Sequence, residues 1–337
     1  MKTLKMNLGT SSYEITVGRN ILSRAGELMN LSRKVFVITD GGVPREYAEA
    51  IKAQCKDAVI YTVPSGERSK SLDTLGGVLS AMLDFGMSRG DCAVGVGGGV
   101  VGDLTGFAAS VYMRGIDFYN VPTTLLSMVD SSIGGKTGVN LAETKNIVGT
   151  FHQPKGVLID LDTLKTLPKR HISAGLAESV KMALTSDADL FSLIERGDCS
   201  DNREEIVYRS LLIKKRVVEQ DEKEKGLRKI LNFGHTVGHG IEAEEKGRLL
   251  HGECVALGML PVCREDVRER LIKVLSALSL PTEYSGNADA ALLKLKHDKK
   301  ASGDALDAIF VDEIGSFRIE KTNTDDFIAL AREYFKA

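Results

Sequence analysis

Short apolar segments that alternate with helical segments fill the first half of the chain. Five of them lie at residues 34–39, 58–63, 92–96, 118–121 and 156–160. Helices are expected between them, including one over about residues 71–85 and one over residues 123–129. Continuous apolar runs of strand length, separated by helices, are typical of a mainly parallel sheet that is covered on both faces. The sequence therefore predicts an α/β N-terminal domain with a Rossmann-like sheet.

The strand pattern largely stops at Pro168. Before the sheet, residues 4–8 and 12–17 alternate around a Gly-Thr-Ser turn and predict a hairpin. After it, helical periodicity runs from His171 to the C-terminus, apart from a short hairpin near residues 308–319. A chain of 337 residues commonly forms about two domains. We therefore place an α/β domain at 1–168 and a mostly α-helical domain at 169–337, and expect the active site in the cleft between them.

Composition and charge argue against several classes of function. With 43% apolar residues, 27% charged residues and a net charge of −2, the chain is typical of a globular protein that binds neither nucleic acid nor membrane surfaces. No signal sequence or membrane-spanning segment is visible, and the five cysteines form no C-x-x-C pair, which indicates a cytoplasmic location. Cys254 is close to His251 and could be a metal ligand, but a buried structural thiol is favoured.

Four polar residues recur at helical spacing inside an apolar stretch. Arg228, Asn232, His235 and His239 lie at offsets 0, 4, 7 and 11, which predicts one stripe along a single helix face. Among apolar neighbours each group needs a partner, which could be a metal, a bound anion or another side chain. His251 opens the next helical stretch and can fold back towards the stripe. Ordinary hydrogen-bonded histidines are the alternative, but three in one short window favour a site.

A glycine-rich loop follows the apolar segment at residues 92–96. Gly97, Gly99 and Gly102 form a G-x-G-x-x-G pattern between a strand and a helix, where backbone N–H groups can approach a pyrophosphate. A tight turn without a ligand is the alternative, because the pattern is weak alone and lies on a late strand. Asp40 ends an earlier strand and is well placed to accept hydrogen bonds from ribose hydroxyls. The loops at residues 65–70 and 123–124 add hydroxyls and charges at strand ends.

Several charged residues lie where the pattern predicts burial or tight connections. Glu178 and Lys181 share one face of an otherwise small and apolar helix, as an ordinary ion pair or as part of a site. Other cations lie in glycine-rich or turn-rich connections or in the second half of the chain, namely Arg114, Lys136, Lys145, Lys214 and Arg228. Together they indicate a charged, phosphorylated small molecule as the ligand.

Long motifs in a fixed order resemble those of a known family. They are GGGVVGDLTGF, VPTTLLSMVDSSIGGKTGVN, ETKNIVGTFHQP, AGLAESVK, DEKEKGLRKILNFGHTVGHGIE and LHGECVALGM. The chain is similar over about residues 40–300 to the 3-dehydroquinate synthases, sugar-phosphate cyclases of the shikimate pathway. The resemblance implies an NAD-binding first domain, a metal-binding second domain and a homodimer. It also implies conversion of 3-deoxy-D-arabino-heptulosonate 7-phosphate, a phosphorylated sugar acid, into 3-dehydroquinate with loss of phosphate.

The resemblance also implies roles for individual residues. Zinc, or alternatively cobalt, would be held by Glu178, His235 and His251, and His239 would serve the substrate although its i, i+4 spacing from His235 looks like a metal-binding pair. The implied catalytic and substrate residues are Arg114 (from the partner subunit in such dimers), Asp130, Lys136, Asn146, Lys181, Lys214, Glu224, Arg228, Asn232, His239 and Lys300 or Lys299. Residues expected to bind NAD, from the loops and from the resemblance, are Asp40, Ser65, Gly66, Glu67, Arg68, Ser69, Lys70, Gly98, Gly99, Val100, Val101, Gly102, Asp103, Thr123, Thr124, Asp130, Lys136, Lys145, Thr163, Leu164, Lys165 and Thr166.

Three alternatives to this function are distinguishable. Another sugar-phosphate cyclase would share the NAD and metal residues and differ in the residues that bind the carboxylate. A polyol or glycerol-phosphate dehydrogenase of the same architecture would release NADH stoichiometrically, whereas a cyclase uses NAD without net change. A module that only binds nucleotide leaves the cations and histidines of the second half unexplained.

Overall fold

The structure is a computed structural model that describes residues 1–142, 144–296 and 305–336. Its internal contacts divide the chain into two compact units, Met1–Pro168 and Lys169–Ala337, which are described separately below. Among the described residues, no helix combines the length and the apolar character that crossing a membrane requires.

A seven-stranded sheet forms the centre of the first unit. The strands of this unit are β1 (Lys2–Met6), β2 (Tyr13–Gly18), β3 (Lys34–Asp40), β4 (Asp57–Val63), β5 (Cys92–Gly97), β6 (Asp117–Pro122), β7 (Lys136–Leu141), β8 (Thr144–Phe151) and β9 (Gly156–Asp160). The sheet has the order β1-β2-β9-β6-β5-β3-β4, and its neighbouring strands are parallel except for the β1–β2 hairpin. The predicted mainly parallel sheet and the N-terminal hairpin are both confirmed.

Helices cover both faces of this sheet. They are α1 (Ala25–Leu28), α2 (Arg45–Lys52), α3 (Leu72–Asp84) and α4 (Gly99–Val111). Side chains alternate along β3, so that Val35 and Val37 pack in a core with α2, whereas Phe36 and Ile38 pack in a core with α3 and α4. Ser71 caps α3 with its side-chain oxygen, which explains the start of the helix predicted near this position.

One local prediction for this unit has shifted bounds and another was wrong. A helix was predicted over residues 123–129, and the helical segment lies at 125–131 with π-helical geometry over Ser127–Ser131. The segments that carry Lys136 and Lys145 were predicted to be connections, but they pair as the antiparallel strands β7 and β8. Nearly every residue of β8 is exposed, so that neither an apolar run nor an inward-facing alternation marks it in the sequence.

Helices dominate the second unit. They are α5 (Lys169–Ser186), α6 (Ala188–Glu195), α7 (Arg203–Gln220), α8 (His235–Glu245), α9 (His251–Met259), α10 (Glu265–Ala277), α11 (Ala288–Leu293) and α12 (Thr324–Lys336). The antiparallel pair of β10 (Ala305–Phe310) and β11 (Arg318–Asn323) confirms the hairpin predicted near residues 308–319. Every residue from Ala174 to Thr185 of α5 is buried, which places its charged side chains in the interior as well.

The polar stripe is not carried by one helix, contrary to the prediction. Its first two members lie on a 3₁₀ helix, Leu227–Asn232, and its two histidines lie on α8, which begins at His235. Gly234 separates the two elements with a φ of 75°, a conformation that residues with a side chain rarely adopt. A Cβ at Gly234 would also lie 2.6 Å from Cγ of Met259 in α9. The 3₁₀ helix and α8 are therefore separate elements, and Gly234 between them packs closely against α9.

Candidate active site

Three potential metal ligands converge within the second unit. Glu178 comes from α5, His235 from the start of α8 and His251 from the start of α9, and one ligand atom of each lies within 4.8 Å of the others. The Nε2 atoms of His235 and His251 are each 3.6 Å from Oε1 of Glu178. Nitrogen and oxygen ligands of a tetrahedral zinc ion stand roughly 3.3 Å apart. The three groups therefore fit an ion of this size with little movement.

Glu178 is a buried carboxylate, and neither of its oxygens accepts a hydrogen bond from the described part of the chain. Its side chain is 0% exposed, and its Oε1 atom accepts no hydrogen bond from any residue in the described part of the chain. Lys181 Nζ lies 2.5 Å from the other oxygen and donates a hydrogen bond to the carbonyl oxygen of Leu231 at 2.6 Å. Because a buried oxygen without a partner is costly, a cation bound at Oε1 would stabilise this arrangement.

The protonation states of the three ligands depart from their ordinary ones. Burial opposes ionisation of Glu178, but Lys181 and the two imidazoles outweigh it and hold the pKa of this carboxyl well below its usual range. Burial and the Lys181 ammonium lower the pKa of His235 well below its ordinary value. Burial also lowers the pKa of His251, yet the carboxylates of Glu178 and Glu242 outweigh it and raise this pKa to about 10. His235 is therefore ready to bind a metal, whereas His251 must first lose a proton.

Close helix packing brings His251 to Glu178. A Cβ at Gly252 would lie 1.9 Å from the carbonyl oxygen of Ala174 in α5, so that glycine is required where α9 meets α5. The carboxylate of Glu253, in the first turn of α9, accepts two hydrogen bonds from Arg170 at 2.7 Å. The glycine and this ion pair hold the start of α9 against α5.

Glu242 lies beside these ligands and was missed by the sequence analysis. Its Oε2 atom is 3.2 Å from Nδ1 of His251. Glu242, His239 and His251 also form a second group of potential ligand atoms within 4.8 Å of one another. Glu242 follows His235 by seven residues on α8, and this helical spacing was the signal that could have found it.

Three cations predicted to bind the substrate are buried in the second unit. Lys181, Lys214 and Arg228 are 1%, 6% and 2% exposed. Asn232, at the end of the 3₁₀ helix, donates from Nδ2 to Oε1 of Glu224 at 2.9 Å, which brings together two more predicted residues. Interior cations are suited to bind an anionic ligand.

Asp221 orders the loop that leads to Arg228, a role that no pattern in the sequence predicted. Its carboxylate accepts hydrogen bonds from the backbone N–H groups of Lys225, Gly226 and Arg228 at 2.9, 2.7 and 3.0 Å. These hydrogen bonds hold the pKa of Asp221 below its usual range. The carboxylate therefore fixes the backbone from which the Arg228 side chain starts.

The glycine loop lies at a switch point of the sheet in the first unit. β3 and β5 are neighbours, but the chain continues from β3 to β4 at one edge and from β5 to β6 on the other side. Parallel α/β sheets bind ligands in crevices at such points, outside the carboxyl ends of the strands. Asp40 ends β3, and Gly97 ends β5 directly before Gly98 and α4. Two of the elements predicted to bind NAD therefore lie at one switch point of the sheet, where a ligand crevice is expected.

A buried lysine joins further predicted residues within the first unit. Lys70 is 5% exposed and its Nζ contacts Oδ2 of Asp103 and Oδ1 of Asn146. Asn140 Nδ2 donates to Oε1 of Glu67 at 2.9 Å, which connects the same loop to β7. The loop after β4, the start of α4 and the β7–β8 hairpin are thus linked by polar contacts.

Comparison with known proteins shows the family. The sequence profile described as 3-dehydroquinate synthase N-terminal matches residues 60–174, and the profile described as 3-dehydroquinate synthase C-terminal matches residues 175–301. The chain belongs to the 3-dehydroquinate synthase family. The 3-dehydroquinate synthase of Streptococcus mutans is 40% identical over 96% of this chain and 98% of the relative. That of Campylobacter concisus is 41% identical over 98% of this chain and 99% of the relative.

Solved structures of other cyclases share the fold of this family member. A 2-deoxy-scyllo-inosose synthase, in complex with carbaglucose-6-phosphate, NAD⁺ and Co²⁺, is 27% identical with a TM-score of 0.88 and covers 98% of this chain and 99% of its own. The 2-epi-5-epi-valiolone synthase ValA from Streptomyces hygroscopicus, with NAD⁺ and Zn²⁺ bound, is 29% identical with a TM-score of 0.88 and covers 98% of both chains. A glycerol dehydrogenase from Schizosaccharomyces pombe, 18% identical with a TM-score of 0.60 over 96% of this chain and 88% of its own, shares the fold alone.

The remaining residues implied by the family are spread over the described part of the chain. Thr163, Leu164, Lys165 and Thr166 lie on a 3₁₀ helix after β9, where Oγ1 of Thr166 is 2.9 Å from the hydroxyl of Tyr47. Arg114, Lys136 and Lys145 are exposed, and Asp130 lies in the π-helical turn. Lys300 and Lys299 lie outside the described residues.

Proposed function

We propose that this chain is a 3-dehydroquinate synthase that uses NAD and a divalent metal. It would convert 3-deoxy-D-arabino-heptulosonate 7-phosphate into 3-dehydroquinate and inorganic phosphate, which makes it a phosphorus–oxygen lyase. The observation that carries the proposal is the convergence of Glu178, His235 and His251 around an unsatisfied, buried carboxylate oxygen in a member of this family. Zinc suits two imidazoles and one carboxylate, and cobalt is the alternative metal.

The metal ligands are all contributed by the helical unit. Three protein ligands leave coordination positions open, as in catalytic zinc sites. When bound, the metal supplies a Lewis acid for the substrate hydroxyls at C4 and C5, and NAD supplies a reversible oxidation at C5. The NAD-binding residues proposed for the first unit are those that border the β3–β5 crevice, Asp40 and the loop from Gly98 to Asp103, together with the loop at Ser65–Lys70.

Charged and amide side chains would hold the two anionic ends of the substrate. Lys181, Lys214 and Arg228 would bind the carboxylate and the adjacent hydroxyls, since their burial strengthens contacts with an anion. The leaving phosphate would be held by Lys136, Asn146, Asn232, His239 and Arg114. Held there, the phosphate could itself accept the C6 proton as its bond to C7 breaks. The hydride would then return to C5, and the ring would open and close again by an intramolecular aldol step.

We also propose that the enzyme is a cytoplasmic homodimer in which Arg114 acts across the interface. Exposed apolar side chains support a partner surface in this region, since Met113 beside Arg114 is 43% exposed and Ile147 and Phe151 of β8 are 61% and 41% exposed. Oγ1 of Thr150 in β8 donates to Oγ of Ser110 near the end of α4 at 2.9 Å, which ties β8 to the segment before Arg114, and groups of exposed apolar side chains often mark interaction surfaces. Light scattering of the purified protein tests this assembly, and a monomer at micromolar concentration would refute it.

The activity is tested by a phosphate-release assay. The purified chain is incubated with NAD, zinc and the heptulosonate phosphate, while inorganic phosphate and nicotinamide absorbance are followed together. Phosphate release without net NADH, abolished by a chelator and by His235→Ala, is the expected result. Absence of phosphate release from the metal-loaded, NAD-loaded protein would refute the proposal.

Two alternatives are decided in the same experiment. Glucose 6-phosphate in place of the heptulosonate phosphate tests another cyclase activity, to which the similarity with the inosose synthase points. Stoichiometric NADH formation with glycerol or glycerol phosphate would indicate a dehydrogenase.

A further inference from the structure

One imidazole of the metal site lies between two carboxylates. Nε2 of His251 is 3.6 Å from Oε1 of Glu178, and Nδ1 of the same ring is 3.2 Å from Oε2 of Glu242. The Glu242 side chain is 13% exposed, and the His251 side chain is 31% exposed. The two ring nitrogens of His251 therefore face different acidic groups, one inside the ligand cluster and one beside it.

The other imidazole ligand is oriented by a different kind of group. Nδ1 of His235 is 3.1 Å from the carbonyl oxygen of Phe233, two residues earlier in the chain. Backbone carbonyls and carboxylates are the usual acceptors for the ring N–H opposite the metal-binding nitrogen, and they set the tautomer and the orientation of the ring. A carboxylate also carries charge, so it makes the metal-binding nitrogen a stronger donor than a carbonyl does.

Helix geometry explains why Glu242 can reach a ring from another helix. His235, His239 and Glu242 lie at offsets 0, 4 and 7 on α8, so that they share one face of this helix. α9 packs against that face of α8 and brings His251 to it. Glu242 is therefore placed on the same helix as one ligand and in contact with the other.

We infer that Glu242 is a positioning residue for the metal site, accepting a hydrogen bond from Nδ1–H of His251 and leaving Nε2 to bind the ion. The inference rests on the metal site of the proposed function and deepens it. Glu242 has a second possible role in this structure, because it could bind another ion together with His239 and His251. The positioning role is distinct from that one.

The test measures metal binding rather than turnover. Zinc affinity is determined by competition with a chromophoric chelator for the wild-type chain, Glu242→Ala, Glu242→Gln and a control, Glu244→Gln. Glu244 lies on the same helix and pairs with Lys294 at 3.0 Å, so the control removes a carboxylate without touching His251. Loss of such a partner typically weakens metal binding by about 10- to 100-fold, and we expect this for Glu242→Ala.

The other variants sharpen the result. Glu242→Gln keeps a neutral acceptor and is expected to lie between wild type and Glu242→Ala, whereas Glu244→Gln should bind zinc as the wild type does. In the cobalt-loaded protein, the visible absorption spectrum reports ligand geometry and should change in Glu242→Ala alone or most strongly. Should Glu242→Ala fail to fold, as judged by circular dichroism, Glu242→Gln decides the question.

Three outcomes would overturn the inference. Wild-type affinity and spectrum in both Glu242 variants would show that the carboxylate does not position His251. Two ions per wild-type chain and one per Glu242→Ala chain would make Glu242 a ligand instead. No zinc binding by the wild-type chain would overturn the metal site together with the inference, whereas the first two outcomes leave the proposed function standing.

Discussion

Nζ of Lys181 lies 2.5 Å from Oε2 of Glu178, with the two side chains 1% and 0% exposed. The proposed metal ligand is therefore already paired with a cation inside the protein. Two charges taken out of water together are tolerated, but removing one partner leaves the other uncompensated. This pair therefore contributes to the stability of the metal-free protein and to the charge of the site.

Replacing Lys181 by Ala should destabilise the metal-free protein by about 3 kcal/mol, because the buried Glu178 carboxylate would lose its nearer cationic partner and keep only the protonated His251, 3.6 Å from Oε1. Urea unfolding followed by circular dichroism measures the change, and added zinc should restore part of the loss. The control is Lys215→Ala, which removes a more exposed ion pair with Glu219 and should cost no more than about 1 kcal/mol. Equal losses in the two variants would contradict this account.

Zinc binding should release about one proton per ion. The neighbouring carboxylates raise the pKa of His251 to about 10, so His251 carries a proton in the metal-free protein at neutral pH. His235 and Glu178 have pKa values lowered well below their ordinary ones, so neither has a proton to release there. Because His251 must lose this proton before it binds the ion, zinc affinity should rise about tenfold per pH unit up to the pKa of His251.

Calorimetry in buffers of different ionisation enthalpy counts the protons released. A pH-independent zinc affinity between about pH 6 and pH 9 would show that His251 is neutral before the metal binds.

Gly252→Ala should weaken zinc binding and destabilise the fold. The new Cβ would lie 1.9 Å from the carbonyl oxygen of Ala174, so α9 must move away from α5 and take His251 with it. Overpacking of this kind typically costs about 1–3 kcal/mol. Gly76→Ala in α3 is the control, because a Cβ there meets no atom within 4 Å and alanine should stabilise the helix slightly. Unchanged zinc affinity in Gly252→Ala would argue against this packing.

Asp40→Ala should weaken NAD binding by about 10- to 100-fold, the loss expected for hydrogen bonds to a charged acceptor. The NAD-induced shift of the melting temperature measures it. Asp57→Ala removes an exposed carboxylate at the amino end of the neighbouring strand β4, and it should bind NAD as the wild type does. If NAD shifts the melting temperature of Asp40→Ala as much as that of the wild type, Asp40 does not bind the ribose.

Much of the architecture could be predicted from the sequence, because a buried strand requires a run of apolar residues and an amphipathic helix requires apolar residues at helical spacing. The strands from β3 to β6, β9 and the histidine pair on α8 belong to this part. Strand β8 could not be predicted, since nearly all of its residues are exposed and its sequence shows neither an apolar run nor an alternation of buried and exposed positions.

The sequence by itself determined which residue types are available to the site: two imidazoles at helical spacing, a third at the next helix start and a carboxylate in an apolar helix. Only the tertiary structure decided how they meet. Gly234, where the helical path breaks, packs closely against α9, and the contact of Glu242 with His251 joins α8 to α9. The sequence patterns of these helices do not show that they meet. Spacing along one helix is local, whereas the distance between helices follows from packing of side chains that lie far apart in the chain.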